Sequence, residues 1–219
     1  MGVLNSFEDY EIAESFNRET TLDDNTKLLI VGTLTPPDGK GKYFYSTRNS
    51  VYGLIDEALE TPNNNNGIKL VNLKKRFNSD ESNNQKVREE IKKHLKKNKI
   101  AFLDVVKYAV RNKHSSDDKD IMIAELDYDV FKDLKNVQNI IVNSEDAARA
   151  FCDIKTKNES KGSKYENIKI GYLPQTQRSS NFSRENWADA IKNGPNEESI
   201  RAFEKILTSY KKSLVKKQK

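Results

Sequence analysis

One stretch near the start of the chain, residues 27–59, constrains the fold more than any other. It reads KLLIVGTLTPPDGKGKYFYSTRNSVYGLIDEAL. The apolar run 28–31 predicts a buried strand that ends at Gly32, and the prolines and glycines that follow predict a loop. From Ser50 onward the apolar residues recur at helical spacing. Ligands bind at the carboxyl ends of strands in open parallel sheets, and helix N-termini attract anions, so this strand–loop–helix unit indicates a ligand site.

Three further apolar runs predict buried strands, at 100–106, 140–142 and 168–173. Helical patterns lie between and after them, at 85–99, 145–154, 183–191 and from Ile200 onward. Strands and helices therefore alternate along the chain. This order predicts an α/β fold with a short, mostly parallel, four-stranded sheet.

Weaker patterns complete the prediction. We expect a helix over residues 5–18, a polar loop over 111–117, and a helix carrying Ile121, Ile123 and Leu126. Phe131 and Leu134 indicate another short helix. The strongly basic helix at 85–99 is typical of a solvated surface, and the basic tail 211–219 is predicted to fray.

Charge and cysteine content narrow the class of protein. The net charge of +5 permits nucleic-acid binding. The single cysteine, Cys152, excludes an internal disulfide framework and argues against an iron–sulfur cluster or a cysteine-ligated zinc site. One cysteine also fits a reducing, cytoplasmic location. No apolar run approaches membrane-spanning length, and the acidic, amphipathic N-terminus is unlike a signal peptide.

Taken in order, several blocks resemble the uracil-DNA glycosylase superfamily, most closely its hypoxanthine-DNA glycosylase-like and mismatch-specific branches. They are LLIVGTLTPP, FYSTRNSVYGLI, IAFLDVVKYAVRNKHSSDDKDI, and the pair IIVNSEDAARAF and YLPQTQRSSNFSRENW, together spanning roughly residues 27–191. The resemblance implies a three-layer αβα fold. It also implies one domain over 1–219, with a core at about 27–210, acting on DNA as a monomer without cofactor or metal.

The same resemblance implies a set of site residues. Such an enzyme flips the target nucleotide out of the duplex, stacks and hydrogen-bonds its base, and positions a water. The Arg-Asn block places the catalytic residue at Asn49. The base would be bound by Gly32, Thr33, Tyr45, Asn143 and Thr176. The DNA strand would be bound by Lys42, Arg48, Gln177, Arg178 and Phe182.

The residues themselves leave alternatives open for three of these positions. Asn49 and Asn143 could instead cap the helices that follow them. Tyr45 could be a packing residue. Asp38 is a rival for activating water, although its Pro-Asp-Gly context also suits a plain turn. Asp104 is expected to tie down a loop.

Departures from the family pattern leave the activity open as well. Thr33 and Leu34 stand where many branches carry Asp or Asn, and the final loop has Gln175 and Gln177 in place of serines and no histidine. We expect a monofunctional DNA glycosylase that removes uracil or hypoxanthine. The alternative is a catalytically lapsed relative that binds modified or damaged DNA, or a nucleotide, without excision. A third hypothesis is an interaction protein that kept only the scaffold.

Overall fold

A sheet of four parallel strands forms the centre of the fold in the computed structural model. The structure describes residues 10–15, 22–34, 51–59, 69–77, 79–112, 121–174 and 181–217. The strands are β2 (Leu28–Gly32), β3 (Ile100–Asp104), β6 (Asn139–Val142) and β7 (Lys169–Tyr172), in the order β3-β2-β6-β7. All three pairings are parallel. The predicted sheet is therefore confirmed.

Helices cover both faces of this sheet, as the predicted three-layer arrangement requires. Their bounds are α1 (Val51–Ala58), α2 (Leu70–Lys74), α3 (Glu81–Lys97), α4 (Glu145–Ser160), α5 (Asn181–Asn193) and α6 (Glu197–Lys217). Side chains on one face, such as Leu29 and Val31, pack with α4 and α6. Ile30 and its neighbours on the other face pack with α1, α2, α3 and α5. Strands buried on both faces need continuous apolar runs, which is why the sequence revealed them.

A second sheet, which the sequence analysis missed, is antiparallel and has three strands. It consists of β1 (Tyr10–Glu14), β4 (Val106–Asn112) and β5 (Ile121–Leu126), in the order β1-β4-β5. The helix expected over 5–18 is wrong for its described part, because residues 10–14 are a strand. Within it Ala13 is buried whereas Ile12 is 78% exposed, the alternation of a half-buried strand.

The helix expected around Ile121, Ile123 and Leu126 is also wrong, as is the described start of the loop expected over 111–117. Residues 121–126 form β5 and residues 111–112 end β4, and Val110 pairs with Ile123 in the register. Arg111 is buried in β4, and its Nε lies 3.7 Å from Glu11 Oε1 on β1. Short apolar runs satisfy helical and strand periodicity equally well, so pairing with β4 decided the outcome.

Two further expectations were wrong. Phe131 and Leu134 lie in the irregular connection between β5 and β6 and not in a helix. Phe131 is fully buried and contacts the edge of Phe151 on α4, with ring centroids 5.3 Å apart. The basic tail does not fray at 211, because α6 continues to Lys217. Tyr210, whose hydroxyl donates to Asp153 on α4, anchors this helix to the core.

The fold contains no candidate membrane span within its described ranges, since none of the helices there is both long and apolar enough.

Candidate functional site

The carboxyl ends of three neighbouring strands meet at one edge of the central sheet. Val31 of β2 is level with Val142 of β6, and Val142 is level with Tyr172 of β7. Beyond these residues the backbone stays in register for one more step, because Asn143 N donates to Val31 O at 3.0 Å and Leu173 N donates to Val142 O at 3.0 Å. We call this the carboxyl edge. It is where ligands bind in open parallel sheets.

Thr33 and Ser144 link two of these strand ends directly. Their hydroxyl oxygens are 2.8 Å apart, so one donates to the other. Ser144 is also the N-cap of α4, because its Oγ accepts a hydrogen bond from Ala147 N at 3.0 Å. The N-cap role that was left open for Asn143 therefore belongs to Ser144. Asn143 is 1% exposed and lies at the end of β6.

Gly32 and Thr33 also hold the neighbouring strand through their carbonyl groups. Val105 N donates to Gly32 O at 2.9 Å, and Val106 N donates to Thr33 O at 3.0 Å. Leu34 follows and is 7% exposed, so its side chain belongs to the core. The two positions after the glycine therefore carry a hydroxyl engaged with Ser144 and a buried aliphatic group, and neither provides a carboxylate.

Most of the predicted site residues lie outside the described part of the chain. These are Lys42, Tyr45, Arg48, Asn49, Thr176, Gln177 and Arg178, together with Asp38, Gln175 and the rest of 35–50 and 175–180. Phe182 is in the first turn of α5, and its side chain is not described. Of the predicted base-binding residues, the structure brings together Gly32, Thr33 and Asn143 at the carboxyl edge.

The described residues on either side of the two undescribed segments are held close together. Segment 35–50 follows β2 and precedes α1, and segment 175–180 follows β7 and precedes α5. Helices α1 and α5 contact each other, and Arg184 Nη2 donates to Glu57 Oε2 at 2.9 Å. Trp187 of α5 is 1% exposed, and its indole Nε1 donates to Pro174 O at 3.0 Å. The described residues before both segments therefore lie at the carboxyl edge, and those after them lie on one pair of packed helices.

Asp56 on helix α1 caps the start of helix α2. Its Oδ1 accepts from Leu70 N at 2.9 Å and its Oδ2 accepts from Val71 N at 3.0 Å, so it caps α2 in place of a local residue. Burial raises the pKa of Asp56 above its ordinary value, although the two backbone hydrogen bonds oppose this. Burial also lowers the pKa of nearby His94, whose Nε2 has no hydrogen-bond partner among the described residues.

A cavity that the sequence analysis did not anticipate opens at the carboxyl end of β7. It has a volume of about 320 Å³ and lies between α5 and α6. Apolar walls come from Leu173, Pro174, Trp187 and Ala202, and polar groups from Tyr172, Asn186, Asn196, Glu198 and Ser199. None of the predicted base-binding residues is among them. Five of its lining residues, Tyr172, Leu173, Pro174, Asn186 and Trp187, belong to the block YLPQTQRSSNFSRENW, which is the part of the sequence that could have indicated it.

The described ranges hold neither a metal-binding cluster nor a reactive thiol. They contain no group of three or more histidine, cysteine, aspartate or glutamate side chains placed to hold a metal ion. Burial raises the pKa of Cys152 to about 11, so its thiol is protonated at neutral pH and is a poor nucleophile.

These features define an α/β protein with a uracil-DNA glycosylase-like fold: four parallel strands, helices on both faces, and a carboxyl edge where the predicted segments begin. The fold is similar to the solution NMR structure of a candidate uracil DNA glycosylase from Methanosarcina acetivorans. The two share 22% sequence identity and a TM-score of 0.56, over 83% of this chain and 98% of that chain. At this identity the likeness establishes the fold. No family model matches the chain, and no curated protein matches it.

Proposed function

We propose that this chain is a monofunctional DNA glycosylase that removes a deaminated base, uracil or hypoxanthine, from DNA after flipping its nucleotide. In the reaction, the oxygen of a water molecule bonds to the sugar C1′ while the C1′–N bond breaks. The base leaves with the bonding electron pair and takes up a proton. The observation that supports the proposal is the shared carboxyl edge, because β2 and β7, the strands that precede the two segments resembling the family's site loops, both end there.

The roles proposed for individual residues follow from this chemistry. Asn49 orients the attacking water through its side-chain amide, which hydrogen-bonds without removing a proton. Tyr45 stacks on the flipped base, a contact worth about 1–3 kcal/mol. Backbone amides near Gly32 and Thr33 bind the charge that develops on the departing base. Asn143 and Thr176 bind its polar edge.

The DNA-binding residues are proposed to act on the strand and on the gap in the duplex. Lys42, Arg48 and Arg178 hold phosphates, which positions the DNA without reading its sequence. Gln177 and Arg178 approach the duplex from the segment before α5. Arg178 or Phe182 fills the space that the flipped base leaves. The chain is proposed to work as one domain and as a monomer, which size-exclusion chromatography with light scattering tests directly.

A second candidate function has a specific observation in its favour. Thr33 is engaged with Ser144 and Leu34 is buried, so the carboxylate or amide that many branches place after the glycine has no equivalent there. A relative that binds modified or damaged DNA, or a nucleotide, without excision would tolerate this loss. If the chain does excise a base, the residue that positions the water is therefore Asn49 or Asp38.

A single-turnover assay separates the two functions. The purified chain is mixed in excess with duplexes containing uracil, hypoxanthine, xanthine or a mismatch, and released base and DNA binding are measured together. We expect release of uracil or hypoxanthine. Tight binding without release from any duplex would reject the glycosylase and favour the binding protein. Loss of excision in Asp38→Ala but not in Asn49→Ala would keep the reaction and reassign the water-positioning residue.

A further inference from the structure

The cavity between α5 and α6 has the size and composition of a small-ligand site. Its volume of about 320 Å³ is within the range of ligand pockets, which are mostly apolar with a few well-placed polar groups. Trp187 and Pro174 form apolar wall on the α5 side, and Ala202 contributes from α6. A flat, partly apolar ligand suits these walls.

Three polar side chains at this cavity have unused hydrogen-bonding capacity. Tyr172, Asn186 and Glu198 make no side-chain hydrogen bond within the part of the chain that the structure describes. In contrast, Ser199 N donates to Asn196 Oδ1 at 2.9 Å, and Ser199 Oγ donates to Asn196 O at 2.8 Å. The pair Asn196 and Ser199 therefore closes the helix end. The other three side chains remain for a ligand.

The position of the cavity is fixed by how α6 covers the outer strand of the sheet. A Cβ at Gly171 of β7 would lie 2.4 Å from Pro195 Cβ and 2.8 Å from Ser199 Oγ. Glycine thus lets the α5–α6 connection cover β7. The cavity lies just beyond this contact, next to Pro174, at the same carboxyl edge as the proposed site.

We propose that this cavity binds a nucleobase that carries an exocyclic amino group: cytosine, adenine or guanine. The Glu198 carboxylate only accepts hydrogen bonds when ionised, so it selects a ligand edge that donates, as acidic side chains do with the cytosine amino group. Asn186 both donates and accepts, which allows it to pair with the adjacent ring atom. Uracil and thymine present a carbonyl at the corresponding position and would face the carboxylate unfavourably.

Two sources could supply such a base. It could be a free nucleoside, or it could be an unpaired base in the DNA strand held at the neighbouring edge. The second source rests on the proposed function, since it requires DNA at the carboxyl edge. Both sources present the same amino edge to Glu198.

Fluorescence of Trp187 provides the test, because this wall residue is the only tryptophan in the chain. The full-length protein is titrated with cytidine, adenosine, guanosine and uridine, and then with short single strands of deoxycytidine or thymidine. We expect a saturable change with at least one amino-bearing nucleoside and none with uridine. Deoxycytidine strands that bind more tightly than cytidine would identify the strand as the source; equal affinity would identify the free nucleoside.

Glu198→Gln is the decisive variant, with Glu197→Gln as its matched control. Glu197 is in the same first turn of α6 and pairs with Arg201 at 2.7 Å, but it does not line the cavity. We expect Glu198→Gln to weaken binding of the amino-bearing nucleoside about tenfold, as expected for loss of a hydrogen bond to a charged group, and Glu197→Gln to leave it unchanged. Equal urea midpoints of the two variants confirm that both fold.

Several outcomes would overturn the proposal. These are no saturable signal with any nucleoside or strand, equal affinity for cytidine and uridine, or equal effects of the two substitutions. The excision assay on the same preparations separates this inference from the proposed function. Excision without nucleoside binding rejects the cavity proposal alone, whereas Glu198-dependent binding without excision rejects the glycosylase alone.

Discussion

Replacing Asp56 by alanine should destabilise the fold through the backbone of a neighbouring helix. Asp56 is 6% exposed and is the acceptor for Leu70 N and Val71 N, the first two amides of α2. Lys69, the N-cap of α2, supplies no side-chain cap, so the carboxylate on α1 does this work. Alanine removes both acceptors at once.

The expected loss follows from these two contacts. A buried donor left without a partner costs about 1–3 kcal/mol, and loss of a helix cap costs about 0.5–2 kcal/mol. The Asp56–Leu70 hydrogen bond is buried and should approach the full cost, whereas Val71 is partly exposed and water can replace its partner. Removing a buried carboxylate also relieves its desolvation. We therefore expect the free energy of unfolding to fall by about 2–3 kcal/mol.

Urea unfolding near neutral pH, followed by Trp187 fluorescence, measures this loss. Trp187 is 1% exposed in the folded protein, so its emission changes on unfolding. Asp56→Asn is the control, because its one remaining carbonyl oxygen can keep one of the two hydrogen bonds and should lose roughly half as much. A loss below about 0.5 kcal/mol for Asp56→Ala, or the same loss for both variants, would refute the capping argument.

Four further predictions follow. The half-buried His94 has a pKa below its ordinary value of 6.5, so the unfolded state gains a proton first as the pH falls. The stability that His94 contributes is therefore full above about pH 6.5 and decreases below it, and His94→Gln should flatten this decrease in urea midpoints. Asn49→Ala should reduce single-turnover excision far more than DNA affinity, and equal losses would contradict its proposed role. Contacts from Lys42, Arg48 and Arg178 to phosphates should give a slope of about −2.7 when log affinity is plotted against log salt concentration, and an affinity that does not change with salt would exclude such contacts. Gly171→Ala should lower the free energy of unfolding by about 1–3 kcal/mol, because its Cβ would overpack against Pro195. Gly53→Ala is the control: its Cβ would meet Val71 Cγ2 at an ordinary 3.7 Å, so it should not lower the free energy of unfolding.

Long, strongly patterned elements could be predicted from the sequence. The four parallel strands are buried on both faces and therefore appear as continuous apolar runs. Helix α3 shows the same clarity, because Val87, Ile91 and Leu95 recur at helical spacing and all three are fully buried. The parallel order also predicts that Gly32, Thr33 and Asn143 approach one edge, since consecutive parallel strands end on the same side.

Short elements could not be assigned in this way. The segments 10–14 and 121–126 have too few residues to separate strand from helical periodicity, and antiparallel pairing with β4 made both of them strands. The basic tail, residues 211–219, is a second case in which local composition gave the wrong prediction. Its lysines suggested fraying, but Tyr210 ties α6 to Asp153 and the helix continues to Lys217.

The α/β class, the central sheet and the segments expected to form the site could all be read from the residue order, because burial and turn formation follow from local residue patterns. Which polar groups meet became visible only in the folded protein: Thr33 with Ser144, Asp56 with the start of α2, and Glu198 with the cavity beside Trp187. Thr33 and Ser144 are 111 residues apart in the chain. Contacts of this kind depend on how finished elements pack against one another, and no local pattern encodes that packing.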